Sequence, residues 1–200
     1  MLKSTSVSRC AWVTDDPLYI AYHDREWGVP VYDDRLLFEL LTLEGAQAGL
    51  SWITILKRRE HYRLAFDHFD IEKIAKYDDK KYQAILNNSG VIRHRLKIQS
   101  VITNAQAYLN LKEEFPSFSD YLWGFVDHMP IQNKRSARNP VPANTPISDA
   151  MSRDLKKRGF KFVGSTICYA FMQAVGMVND HLTTCFCFEK INKRTSNAKN

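Results

Sequence analysis

Apolar positions recur at helical spacing along most of the chain, and polar capping residues mark where the runs begin. Asp33 and Asp34 precede Leu36, Leu37, Phe38, Leu40, Leu41 and Leu43, which predicts a helix. Ser51 caps a second run carrying Trp52, Ile55, Leu56, Tyr62, Ala65, Phe66 and Phe69. Asp70 opens a short third helix, and Asp78 or Asp79 opens a fourth that stops at Asn87-Asn88-Ser89-Gly90. From Arg95 to Leu111 the apolar face is Leu96, Ile98, Val101, Ile102, Ala105 and Leu109. Ser119 starts another helix, with Tyr121, Leu122, Phe125 and Val126. Ser148 caps a helix ending at Gly159, and Ser165 caps one ending near Gly176. No stretch alternates as a strand does, so the pattern predicts an all-α fold, one unit with two helical lobes.

Two segments fall outside the pattern. His128 to Pro146 holds four prolines and no helical or strand period. A loop of that length in a compact domain serves a function or moves. The last residues, from Lys190 on, read as a frayed basic tail.

The chain has 200 residues, 44% of them hydrophobic, enough for one well-buried core. Met1 to Arg9 is polar, with no signal peptide, and the longest apolar run, Ile167 to Val178, is too short to span a bilayer. A cytoplasmic protein without a membrane partner is expected, in which the four cysteines bind metal or are simply buried. The net charge of +6 suggests a polyanionic partner. Lys134 to Lys161 contains eight basic and two acidic residues and so alone carries +6. Such a segment is either a solvated helix face or a phosphate-binding surface.

The C-terminal end of that basic segment has a definite shape. A basic helix stops at Gly159, a short apolar turn Phe160-Lys161-Phe162-Val163 comes next, and Gly164 precedes a helix starting at Ser165. The first amides of a helix lack internal partners and sit at the positive end of its dipole, so they can hold a phosphate without reading sequence. The competing reading is an ordinary turn between two helices with a glycine cap.

Cys10 and His23 lie near the start, His181 and Cys185 near the end. The second pair is four residues apart and would share one face of a helix. Two sulfurs and two imidazoles suit tetrahedral zinc, and four protein ligands leave no position for catalysis. Spacing alone leaves buried thiols and bonded histidines open, with Cys187 a rival for Cys185; Cys168 reads as core.

The segment Phe160 to His181 resembles the helix-hairpin-helix motif of the DNA glycosylase superfamily. Arg9-Cys10-Ala11-Trp12-Val13, Asp16 to Asp24, Glu26 to Pro30, Leu43-Glu44-Gly45, Gly49-Leu50-Ser51-Trp52-Ile53, Gly90 to Arg95 and Lys156 to His181 resemble the 3-methyladenine DNA glycosylase I family. The matched blocks span roughly residues 9 to 188. The resemblance implies a single glycosylase domain over 1–188, with the motif at about 149–177; residues 189–200 read as a basic, disordered tail. It implies one structural zinc ion on Cys10, His23, His181 and Cys185, joining the N- and C-terminal segments. It places Glu44 in a base pocket as the catalytic carboxylate, where a lone glutamate at a helix end would otherwise read as solvated. Trp12, Tyr19, Tyr22 and Trp52 then surround the base, and Trp27 stays in the core.

Leu50 becomes the candidate wedge, and Lys161, Gly164, Ser165 and Thr166 the grip on the DNA backbone. The implied partner is double-stranded DNA containing 3-methyladenine, bound by a monomer that releases the free base. The implied reaction is hydrolysis of the N-glycosidic bond, leaving an abasic site. That family is regarded as lacking the catalytic aspartate of other helix-hairpin-helix enzymes, so Asp180 is not assigned, and no lysine calls for a Schiff base. The alternative is a non-catalytic, zinc-stabilised nucleic-acid-binding module.

Overall fold

Short acidic and hydroxyl side chains set most of the helix starts. The computed structural model describes residues 7–197, and side chains through 192. Helices α1 (Pro17–Arg25) and α2 (Asp34–Gln47) begin at Asp16 and Asp33, whose carboxylates accept from the amides of Leu18 and Leu36. Asp70 and Asp78 do the same for α5 (Ile71–Ile74) and α6 (Asp79–Leu86). His94 caps α7 (Arg95–Leu111).

The run expected as one helix after Ser51 is divided into α3 (Trp52–Leu56) and α4 (Arg59–Ala65). Beyond α4 lies a 3-10 turn in which Asp67, His68 and Phe69 all take positive φ, a conformation that ends an α-helix. Helix α8 (Phe118–Trp123) starts from Ser117, two residues before the expected Ser119. In α7 the face is as expected except at Leu96, which is 66% exposed.

Helix α9 (Pro146–Lys157) is capped by Thr145, not Ser148; Ser148 supplies the reciprocal half of a capping box. It ends in a Schellman turn. Gly159 takes φ +96°, Phe160 N–H reaches Leu155 O at 3.0 Å, and both Phe160 and Leu155 are buried. Helix α10 (Ser165–Ala174) is preceded by Gly164, so Ser165 is its first residue rather than its cap.

The all-α reading needs one correction. Ile131–Gln132 (β1) pairs in parallel with Val178–Asn179 (β2) inside the segment expected to lack strands. Two residues are too few to show alternation. Helix α11 (Phe186–Asn197) also runs through most of the expected tail. Ile191 is buried, with its Cδ1 3.1 Å from where a Cβ on Gly28 would sit. Residues 198–200 lie outside the described residues.

Helix α2 lies at the centre, against α3, α7, α8 and α10, while α9 packs along α10. Among the described residues, all but three of the buried apolar side chains form one contiguous cluster, so the core is not divided into two. Among the described residues no helix is long and apolar enough to cross a membrane.

Candidate functional site

The chain ends meet first. Cys10 sits at a turn before α1, His23 on α1, and His181 and Cys185 in the turn before α11. The last pair is therefore not on a helix as expected: Cys185 N–H bonds Leu182 O at 2.8 Å instead. The four ligand atoms lie within 4.8 Å of one another and all four residues are buried. Cys10 Sγ is 3.5 Å from His181 Nδ1, and Cys185 Sγ is 3.5 Å from His23 Nε2 and 3.6 Å from His181 Nδ1.

The outer nitrogen of each ring faces an acceptor: His23 Nδ1 meets Asp24 Oδ1 at 2.8 Å, and His181 Nε2 meets Trp27 O at 3.1 Å. These contacts fix the tautomer that turns both inner lone pairs toward the sulfurs. The four residues can hold a metal ion. Cys187 is outside the set; its Sγ faces His23 O and Asp24 O at 3.8 and 3.9 Å.

The cluster backs directly onto a cavity of about 630 Å³. Trp12 bridges the two, its ring 5.2 Å from His23 on one side and 5.0 Å from Tyr19 on the other. Tyr22 and Trp52 lie 5.4 Å apart, centroid to centroid. All five expected pocket residues, Trp12, Tyr19, Tyr22, Glu44 and Trp52, line this space. Trp27, read as core, is buried but also reaches the lining.

Glu44 is in the last turn of α2, 4% exposed. No hydrogen-bond donor among the described residues meets its carboxyl, and burial pushes its pKa up to about 8. The indole N–H of Trp52 is likewise buried without a partner. An aromatic chamber with an unsatisfied carboxyl suits a flat, cationic guest.

Helix α2 is held where it is by two close contacts. A Cβ on Gly45 would sit 3.2 Å from both Cβ and O of Phe162, so any side chain here would press the hairpin away from α2. Lys97 Nζ donates to Ala46 O at 2.9 Å and Ala48 O at 2.6 Å, satisfying carbonyls at the helix end. Gly49 (φ +78°) then turns the chain, and Leu50 stands 40% exposed.

The hairpin is pinned to α7 by Asn104, which accepts from Lys161 N–H at 2.7 Å and donates to Lys161 O at 3.1 Å. Lys161 and Thr166 are exposed, and a Cβ on Gly164 would meet nothing within 4 Å. No side chain caps α10, as none caps the short α3 and α4, whereas α1, α2 and α5 to α9 are all capped. The Ser165 hydroxyl is engaged by Asp149 and by Ser148 at 3.0 Å, so its amide, not its side chain, is free for an anion. Of the basic segment, Arg135 and Arg158 are spent on internal ion pairs; the other six basic residues are exposed.

Sequence reasoning missed Gln47, Lys97 and Asn104, and it missed that Ser136, Ala137, Pro140 and Val141 of the proline-rich loop line the cavity. The length of that loop was the one signal pointing to it.

A family model described as methyladenine glycosylase matches residues 12–188. The DNA-3-methyladenine glycosylase 1 of Escherichia coli K12 is 53% identical over 182 residues, covering 91% of this chain and 97% of that protein. A crystal structure of 3-methyladenine DNA glycosylase I superposes with a TM-score of 0.87 at 56% identity, covering 90% of this chain and 99% of the other. A variant of 3-methyladenine DNA glycosylase I, solved in complex with 3-methyladenine, superposes with a TM-score of 0.85 at 37% identity, covering 89% and 96%. With its aromatic chamber and buried Glu44 at the positions the family match spans, the chain belongs to the methyladenine glycosylase family.

Proposed function

We infer that this chain is a monofunctional DNA glycosylase that hydrolyses the N-glycosidic bond of 3-methyladenine in alkylated DNA, leaving an abasic site. Family membership supplies the class. The observation that carries the reading on this chain's own residues is Glu44, buried and without a donor in an aromatic chamber.

Adenine alkylated at N3 is cationic. Extruded from the duplex, it offers two faces to Trp12, Tyr19, Tyr22 and Trp52 and an edge to Glu44. An empty chamber favours the neutral carboxyl; a cationic base favours the carboxylate, because opposite charges at short range and away from bulk water attract strongly. The neutral base lacks that gain, which gives selectivity. The positive charge already makes the base a good leaving group, so water completes the displacement without a second carboxylate. Leu50 fills the gap left in the base stack. Lys161, Gly164 and the amides of Ser165 and Thr166 hold the backbone independently of sequence. The intact chamber leaves nothing to favour a non-catalytic binding module.

The cluster of Cys10, His23, His181 and Cys185 fits zinc. Tetrahedral zinc, with sulfur at about 2.3 Å and nitrogen at about 2.0 Å, places neighbouring ligand atoms about 3.5 Å apart, as these sulfur–nitrogen pairs are. With four protein ligands the ion would be structural. It would close residues 10 to 185 into one loop and hold Trp12 against the turn carrying His181.

Incubation with methylated duplex DNA tests the reading. Free 3-methyladenine and an abasic, unnicked strand are expected. Absence of released base from a folded protein contradicts it, and a nicked strand contradicts the monofunctional assignment.

A further inference from the structure

Asp180 also lines the chamber, and its side chain is wholly removed from solvent. Four donors converge on it. Asn133 Nδ2 and Arg135 Nε each lie 2.7 Å from Oδ1, while Tyr169 Oη lies 2.6 Å and Gln173 Nε2 2.8 Å from Oδ2. A carboxylate offers about four lone-pair sites, so none remains for water or base. Asp180 acts through its neighbours.

Of these neighbours, Arg135 reaches in two directions. Its Nε and Nη2 point inward, to Asp180 and to Tyr169 Oη at 2.7 Å. Its Nη1 faces outward, 3.3 Å from Asn139 Oδ1 and 3.5 Å from Pro140 O. The backbone around it is stitched to the far segment: Ile131 N–H to Met177 O at 2.9 Å, Asn133 N–H to Asn179 O at 3.3 Å, and Thr183 N–H to Arg135 O at 2.9 Å. Past Arg135 the chain turns between Ser136 and Asn139 and arches over the chamber, lining it with Ser136, Ala137, Pro140 and Val141.

We propose that Arg135 is a positioning residue for base recognition: its two-way fork ties the 136–141 arch to Asp180 and Tyr169, and the arch sets affinity for the extruded base. This rests on the glycosylase reading above. The arch brings short side chains and no titratable group to the lining, while Glu44 and the aromatic rings come from residues 12 to 52. Contact area and exclusion of water on that side serve the bound base and the transition state alike. Such uniform binding lowers KM and leaves kcat unchanged.

Arg135→Met would strand a buried carboxylate and endanger folding. Arg135→Lys keeps a cation for Asp180 but cannot fork to Asn139 and Pro140. Pro140→Gly loosens the arch without touching the buried network. Both variants would be assayed for base release from methylated DNA. Their affinity for free 3-methyladenine would be monitored by the fluorescence of Trp12 and Trp52, and trypsin cleavage would be timed at Lys134 and Arg138, both exposed on this segment.

Each variant is expected to raise KM and weaken base binding about tenfold, the loss of roughly 1.4 kcal/mol of uniform contact. The kcat should hold within about threefold. Saturating 3-methyladenine should slow trypsin cleavage in the wild type and not in Arg135→Lys. Folded variants with wild-type KM and base affinity, or with lower kcat at unchanged KM, overturn the proposal. If the wild type itself releases no base, the glycosylase reading fails instead.

Discussion

The end of α2 and the turn after α10 each bring a buried carboxyl to the same chamber, and the two differ in what surrounds them. Asp180 meets four donors, including Arg135, and is closed to any guest. Glu44 meets none, and burial lifts its pKa to about 8. A buried polar group without partners costs stability, and folded chains rarely leave one in place. On the proposed function, Glu44 is the group kept open for a ligand, and Asp180 fastens the 136–141 arch. The difference teaches that position in a pocket does not assign a chemical role; the tally of donors does.

The largest effect that would sharpen this contrast is loss of the Cys10–His23–His181–Cys185 cluster that could hold a metal ion. His181→Ala removes one of four ligand atoms and the ring packed on Trp27 at 4.6 Å. We expect a fall in Tm large enough to abolish folding at growth temperature, as does prolonged chelation of the wild type, read by thermal denaturation. A variant that folds and works normally without metal would detach the cluster from the pocket.

Next in size is Gly45→Val. Its side chain must invade the Phe162 backbone and push α2 off the hairpin. A displacement of ~1 Å at Glu44 should lower base release on the order of a hundredfold. Affinity for undamaged DNA, which the proposed function assigns to Lys161 and the α10 amides, should change far less. Equal losses would show that chamber and hairpin are not separable.

A smaller effect concerns stability and pH. The folded pKa of Glu44, about 8, lies above its unfolded value of about 4.3. The buried neutral carboxyl therefore contributes its full stability below about 4.3, and that contribution is lost as pH rises to about 8. Glu44→Gln should remove this slope and exceed the wild type in Tm at pH 8, with no advantage at pH 4. Parallel curves would mean that Glu44 is solvated. The smallest effect is that of Lys161→Ala, which should weaken DNA binding, reduce its salt dependence by about one unit of slope, and leave damage selectivity unchanged.

Much of the helical frame was legible in the sequence because capping is local. Asp33, Asp70 and Asp78 each announce a helix within three residues, and the bounds of α7 match its apolar stripe. The division between α3 and α4 was not legible, since the apolar spacing continues across Lys57 and Arg58 while the backbone does not. The pocket aromatics, Glu44 and the four-residue cluster were visible through the family resemblance; spacing alone left buried thiols open, and it put His181 and Cys185 on a helix that does not exist there. Arg135 was counted with the solvated basic residues, because its partner Asp180 is 45 positions away and no local pattern joins them. The helical tail escaped notice for a similar reason: Ile191 is buried beside Gly28 and His181, far back in the chain.

The contrast between the two carboxyls is tested most directly by the pH profile of kcat/KM for base release, measured on wild type and Glu44→Gln beside DNA affinity. Since the carboxylate is the form that holds a cationic base, the wild-type profile should rise with pH to a plateau, with a midpoint near 8. In Glu44→Gln that limb should be absent and release lower by at least about a hundredfold, with DNA affinity unchanged. The same limb in both proteins, or a parallel loss of DNA binding, would contradict the role assigned to Glu44.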